Sequence, residues 1–524
     1  MNNRVGRFWR TIKYLKPIQL RYQFYHRLRK IGGRNITISD VEERVRAIHK
    51  PPSIDWLPAQ KSYAEGEFHF LNQSKKFERS INWNFPDFGK LWTYHLNYFD
   101  YLMQPEMDKE TGLHIIRDFI DNEQQITVGL EAYPTSLRIF NWIKFSLRHN
   151  INASSVNQSL YQQLQLLQGN IEYHLLGNHL WENGCALLAG GLYFDESKIL
   201  ELAKEILQEQ LAEQILEDGG HFERSPMYHQ LLLHRLLDCY HLLSIHPEEN
   251  EDLGKLIGNA IEKMTGWLQN ITFRNGSIPR VNDAVNGWSP ETGQLINYGE
   301  RLGLNIADIL LGESGYRMIR GVDYEWLIDV GDIGPDYIPG HAHSDTFSFV
   351  LHVHEKPVIV DTGVSTYEEC DRRVNERATA AHNTVKVGNK EQTEVWKSFR
   401  VGRRARVTRC REESNFIDAE HNGYRHLGLT HRRIFKWASG GLFVKDFITG
   451  KKSRMSTAFL HFHPNVEVEE RGEFIYADHI KLAFRGYEDI SINDYDYASG
   501  FNQLMAARVV EIKFRDELET RLIL

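Results

Sequence analysis

One change of hydrophobic period, near residue 320, divides this chain and decides which folds are open to it. From Tyr94 to about residue 270, apolar residues recur at three and four, as in YHLNYFDYLMQ, HIIRDFIDNEQ and PTSLRIFNWIKFSLRHN, which lines one side of a helix. Pro134, Thr135 and Ser136 read as a helix start, with Leu137, Phe140, Ile143 and Phe145 as its buried side. Further helical runs follow through NHLWENGCALLAGGLYF, SKILELAKEILQEQLAEQIL and SPMYHQLLLHRLLDCYHLLS. Helices paired by short connections predict an α/α toroid or solenoid. After IPRVNDAVNGW, short β-branched and aromatic runs alternate with turns: EWLIDVG, FSFVLHV, PVIVDTG, RRIFKWAS, LFVKDFIT, ARVVEIKFR. Their number and spacing predict an antiparallel β-sandwich. The fold class is α+β multidomain: a partly helical arm at 1–90, an α/α toroid at 91–320 and a β-sandwich at 321–524.

At 524 residues and net charge −8 the chain has no global signature of nucleic-acid binding, so an acidic partner must be met by a local basic site. Its four cysteines are far apart and read as free thiols. The first residues, MNNRVGRFWRTIKYLKPIQL, contain no uninterrupted apolar run and read neither as a secretory signal nor as a spanning helix. A cytoplasmic location is the expectation, with a periplasmic or membrane-associated one as the alternative. Trp9, Tyr14, Leu15, Tyr22 and Tyr25 lie there among Arg and Lys. The expectation is a helix docking this aromatic side on its own protein rather than on a membrane surface.

Four stretches concentrate chemistry. GHAHSDTFSFVLHVHEKPVIVDTG and ATAAHNTV set His341, His343, Asp361 and His382 in strand-like surroundings, residue types that hold zinc. His352 and His354 read as scattered histidines of the β-domain. In GNHLWEN, helical spacing puts Asn178 beside Glu182 and His179 beside Glu182 and Asn183. In DGGHFERSPMYH, Ser225 and Pro226 make a helix start that places Tyr228 in the first turn, where the helix dipole favours phenolate, with Arg224 near by. Around WTYHLNYFDY, aromatics interleave with His95 and Asn97, and with Tyr133 and Arg138 they suit a sugar-binding cleft.

Taken in order, NHLWENG, GGHFERSPMYH, GHAHSDTFSF, VDTG and TAAHNTV resemble the heparinase II/III-like polysaccharide lyases, a group that includes alginate and oligoalginate lyases. The resemblance runs from about Tyr94 to Arg406. It implies an incomplete α/α toroid followed by an antiparallel β-sandwich, with the active site in the groove between them. It also implies β-elimination on an acidic, uronic-acid-containing polysaccharide. By resemblance, Tyr228, His179, Asn178 and His341 are catalytic, and His343, Asp361 and His382 hold one structural zinc ion. Glu182 matches a glutamate found in part of the family; Arg224, Arg138 and Arg377 complete the expected substrate contacts. The alginate-cleaving members also use a tyrosine shortly before the last zinc histidine. ECDRRVNERATAAHNT holds none there, and Tyr367 stands too early to match, so the base stays open. Two rival readings are a non-catalytic glycan-binding or assembly protein on the same fold and a metal-dependent glycan hydrolase. No nucleic acid and no integral membrane segment are expected, and the oligomeric state is left open.

Overall fold

The computed structural model describes residues 2–31, 53–245, 250–451 and 453–524; the expected arm's segment at 32–52 lies outside them. The arm opens with helices α1 (Asn2–Ile12) and α2 (Pro17–Ile31). α1 is tied to the C-terminal half: the Arg10 guanidinium donates to both Glu394 oxygens at 2.8 Å, and Trp396 Nε1 donates to Thr11 Oγ1 at 3.2 Å. α2 is tied to the helical half, where Gln19 Nε2 donates to the Leu175 carbonyl at 3.1 Å and Tyr22 packs on Tyr173. The expected inward aromatic side is only partly seen. Tyr14 packs under Arg404 and Tyr22 docks, but Trp9 is 63% and Tyr25 50% exposed. The polar groups that make the contacts turn the apolar side outward. Strands β1 (Tyr63–Ala64), β2 (Glu67–Phe70) and β3 (Gln73–Lys76) form a small antiparallel sheet that sequence reading did not anticipate.

Helices α3 (Lys90–Tyr98), α4 (Lys109–Asn122), α5 (Ala132–Arg148), α6 (Ser154–Gln168), α7 (Gly177–Phe194), α8 (Ser197–Gln214), α9 (Pro226–Ile245), α10 (Glu251–Ile271) and α11 (Thr292–Arg301) follow. α3 packs on α5, α5 on α7, α7 on α9 and α9 on α11, while α4 meets α6 and α8 meets α10. Odd helices thus make an inner ring and even ones an outer ring, an incomplete α/α toroid. α7 shows why the order is this way round: all of it except His179 is buried, as suits a helix apolar on every side. Its approach to α6 needs glycine, since a Cβ on Gly190 would lie 2.5 Å from Leu164 Cδ1.

The remaining chain is antiparallel β. Strands β4 (Tyr316–Arg320), β5 (Tyr324–Asp329), β6 (Phe349–Val353) and β7 (Lys356–Ile359) pair in sequence order. A ten-stranded sheet faces them, with long strands such as Leu429–Ala438, Gly441–Gly450, Ile480–Gly500 and Gln503–Ile523. Trp326 on β5 meets Phe349 on β6 and, across the sandwich, Phe435 of the large sheet edge-on. Leu327, Val350, Val364 and Phe501 belong instead to the toroid's apolar core, which joins the two lobes. Asn72 Nδ2 donates to the Phe501 carbonyl at 2.8 Å and Asn502 Nδ2 to the Leu71 carbonyl at 2.9 Å, which ties the small sheet to the sandwich.

Candidate active site

Between toroid and sandwich lies a cleft of about 1650 Å³, lined by both lobes and by the arm. The chain turns into α7 through two left-handed residues, Leu176 at φ 67° and Gly177 at φ 57°, and so delivers Asn178 and His179 to the cleft wall. His179 is 30% exposed, with Nδ1 at 3.1 Å from Glu172 Oε1 and its ring against Tyr133. Burial works to lower its pKa, but the Glu172 carboxylate prevails and raises it. Asn178 Nδ2 stands 3.3 Å from both Glu223 oxygens and 3.5 Å from His341 Nε2.

His341 comes from the other lobe. Its Nδ1 is 2.8 Å from Asp283 Oδ2, and a carboxylate there accepts a hydrogen bond, which fixes a proton on Nδ1. Nε2 faces Asn178 and stands 3.6 Å from Glu223 Oε2. Asp283 is fully buried and also receives the Arg373 fork at 2.5 and 2.6 Å and His343 Nε2 at 2.9 Å. One carboxylate therefore positions both histidines of GHAH.

Tyr228 lies in the first turn of α9, which follows Arg224 in a left-handed conformation at φ 58°. Its ring stacks on His341 at 3.9 Å, and its hydroxyl is 3.4 Å from that of Tyr367. The dipole argument for phenolate does not hold here. Burial, with Tyr367 and Asp283 adding to it, pushes the Tyr228 pKa well above its ordinary value, so the side chain stands as phenol. Tyr367, too early in the chain to match a family tyrosine, is brought to the site all the same, over the Arg373 guanidinium.

Of the expected substrate contacts, Glu182 lines the cleft but is 4% exposed and accepts from Arg235 Nε at 2.8 Å. The three arginines do not line it. Arg138 is fully buried and donates to Gln163, to the Gly129 and Asn97 carbonyls and to Thr135. Arg377, equally buried, grips the carbonyls of Ala342, Lys397 and Ser398, and Arg224 holds those of Asp332 and Glu313. A guanidinium offers five donors in a rigid fork, and here the forks brace loops around the site. Of the interleaved aromatics, Tyr94, His95, Tyr98 and Tyr133 do line the cleft, whereas Asn97 is buried and bonded to main-chain carbonyls. His352 stacks on Phe273 and His354 is exposed beside Asp323, as scattered histidines would be.

His343, Asp361 and His382 come together behind the cleft wall, with His382 Nδ1 2.7 Å from Asp361 Oδ2 and the two imidazoles 5.2 Å apart. His343 Nδ1 and His382 Nε2 are buried without a hydrogen-bond partner, as ligands without their ion would be. Residue types and orphaned nitrogens fit zinc; among the described residues, no three such side chains already surround a common point.

Two family models match the chain: heparinase II/III N-terminus over residues 141–298 and heparinase II/III-like, C-terminal, over 306–522. A curated relative, a heparin-sulfate lyase of Bacteroides stercoris, is 26% identical over 341 residues, 57% of this chain. That alignment spans about half of the relative's length, 48%. Among solved structures, a heparinase III superposes with a TM-score of 0.69 at 17% identity, covering 86% of this chain and 80% of that one. A heparan sulfate lyase of Pedobacter heparinus gives 0.55 at 14%, covering 87% and 81%. The fold is thus the toroid and sandwich of heparinase III, and with both models matched in order the chain belongs to the heparinase II/III-like family.

Proposed function

We propose that this chain is a polysaccharide lyase that cleaves an acidic, uronic-acid-containing glycan by β-elimination. The observation that carries the reading is the meeting of Asn178 and Tyr228 from one lobe with His341 and Tyr367 from the other, with His179 on the same cleft wall. In the reaction a base removes the C5 proton, the released electron pair forms the C4–C5 double bond, and the C4–O bond breaks as the leaving oxygen takes a proton from an acid. No water is added. His341, held through Nδ1 by Asp283 with Nε2 toward Asn178, takes the role of base. Tyr228, held as phenol, takes that of acid, and Tyr367 orients its hydroxyl. Asn178 and His179, whose pKa the Glu172 carboxylate raises, neutralise the substrate carboxylate so that an enolate-like intermediate is accessible. Arg27, Lys61 and Arg400 on the cleft lining suit an acidic chain. The relative named a heparin-sulfate lyase supports the same class.

Zinc, where bound, would be held by His343, Asp361 and His382 and would brace the GHAH loop against the strand end at VDTG. All three are at most 3% exposed and none lines the cleft, which disfavours a hydrolase that activates water there. The test is ultraviolet absorbance of the conjugated unsaturated uronate when purified protein meets heparan sulfate, chondroitin sulfate, hyaluronan and alginate. A rise on at least one glycan that disappears in Tyr228→Phe is expected. New reducing ends without absorbance would establish hydrolysis instead, and binding without either would establish the non-catalytic protein.

A further inference from the structure

We propose that the α1–α2 arm is an in-plane docking surface for an anionic lipid bilayer. Sixteen large hydrophobic side chains are exposed among the described residues, and eight of them lie between Val5 and Leu28: Val5, Phe8, Trp9, Ile18, Leu20, Phe24, Tyr25 and Leu28. Within α1, Val5, Phe8 and Trp9 share one helical face; within α2, Leu20, Phe24 and Leu28 recur at four. Of the arm's described side chains only Gln19 is buried, so packing on the protein's own lobes leaves this face uncovered.

Charge says what covers it. Residues 1–31 hold nine Lys and Arg and no Asp or Glu, in a chain of net charge −8. Lys13, Arg21 and Arg27 are exposed alongside the aromatics. Basic residues around Trp, Phe and Leu on a helix are the composition of a segment lying in the headgroup region, with rings at the interface and cations on anionic lipid. A polyanionic glycan would use the cations but has no use for Val5, Leu20 and Leu28, and a second copy would oppose one cationic arm to another. Spanning is excluded by length: α1 and α2 have 11 and 15 residues, and no helix among the described residues is long and apolar enough to cross a membrane. Phe8, Leu20 and Arg27 also line the cleft, so a docked arm sets the cleft mouth at the bilayer surface, where membrane-anchored glycan emerges.

The test is flotation of the full chain with phosphatidylglycerol–phosphatidylcholine vesicles and with pure phosphatidylcholine vesicles, and its readout does not depend on turnover. The protein floats with the anionic vesicles only and is released by salt. Trp9→Ser/Phe24→Ser and Lys13→Glu/Arg21→Glu each lower the bound fraction by about tenfold or more, with thermal unfolding unchanged because these side chains are exposed. The proposal is overturned if wild type does not float with anionic vesicles, or if both variants float as wild type does. It is equally overturned if the charge variant loses only soluble heparan sulfate, which would make the arm a glycan track. Loss of a concentration-dependent dimer in the aromatic variant, without vesicle binding, would make it a self-association surface.

Discussion

Asp283→Asn keeps the shape of the side chain and removes its charge at a position with no solvent exposure. Four donors converge on the carboxylate: Arg373 Nη1 and His343 Nε2 on Oδ1, Arg373 Nη2 and His341 Nδ1 on Oδ2. An amide can still accept at one position, but its NH₂ then faces two donors at the other. Arg373, itself fully buried, is left without its counter-charge. Removing one partner of a buried pair costs about 3–5 kcal/mol, and the individual hydrogen bonds are contained in that figure rather than added to it. Turnover falls for a separate reason. Without an acceptor at Nδ1, the His341 ring is no longer fixed with its proton there and Nε2 toward Asn178, and loss of a positioned base is worth about 10²–10⁴-fold. Denaturant unfolding reads the first effect and the initial rate of unsaturated uronate formation the second. Adding Arg373→Met to Asp283→Asn separates them: part of the stability returns, because the stranded charge is gone, but none of the turnover. Wild-type stability of Asp283→Asn together with more than about a tenth of wild-type turnover would refute the reasoning.

Tyr367→Phe keeps the ring over Arg373 and deletes the hydroxyl beside Tyr228; kcat is expected to fall by about 10²-fold or more with KM little changed, measured by initial rates over a substrate series. If the buried histidines hold zinc, His343→Ala lowers bound zinc in elemental analysis and lowers the unfolding midpoint, and chelation reproduces both in wild type but neither in the variant. Burial works to raise the Glu394 pKa, but hydrogen bonds from Arg10, Arg403 and Arg7 outweigh it and bring it to about 2, below an ordinary glutamate near 4.3. A depressed folded pKa means this anchor of α1 is fully present above about 4.3 and lost as pH falls through about 2. Hydrogen exchange over residues 2–12 therefore accelerates in that window, and Glu394→Gln shows the fast exchange at neutral pH.

The toroid and the sandwich were readable because period 3.6 and period 2 survive in long runs, and the compact motifs that carry Asn178, His179, Tyr228 and His341 mark residues that fold onto the cleft wall. Asp283 was not. It lies in IPRVNDAVNGW, which looks like a plain boundary between two textures, and its meaning comes from four donors that only folding assembles. Tyr367 is 139 residues from Tyr228 and meets it across the lobes. The arginines misled for the opposite reason: a cation in a sequence reads as exposed and ready for an acidic sugar, whereas Arg138 and Arg377 are fully buried and hold main-chain carbonyls. Trp9 and Tyr25 misled likewise, since aromatic residues on a helix read as its inner side.

The site is divided between two lobes linked along the chain from Arg301 to Tyr316 and held by a shared apolar core and the bonds of Asp283, and two further ties lie outside these, through the arm at Glu394 and Leu175 and through Asn72 and Asn502. With a bare hinge, Tyr228 would meet His341 only in the fraction of molecules that happened to be closed, and the observed rate and affinity would be scaled by that fraction. The two outlying ties add to the shared core and the Asp283 bonds in favouring the closed form before any ligand arrives. Catalytic competence is then partly a property of Gln19 and Asn502, which touch no reacting atom, and changes there would appear as a lower fraction of active molecules with unchanged chemistry in each.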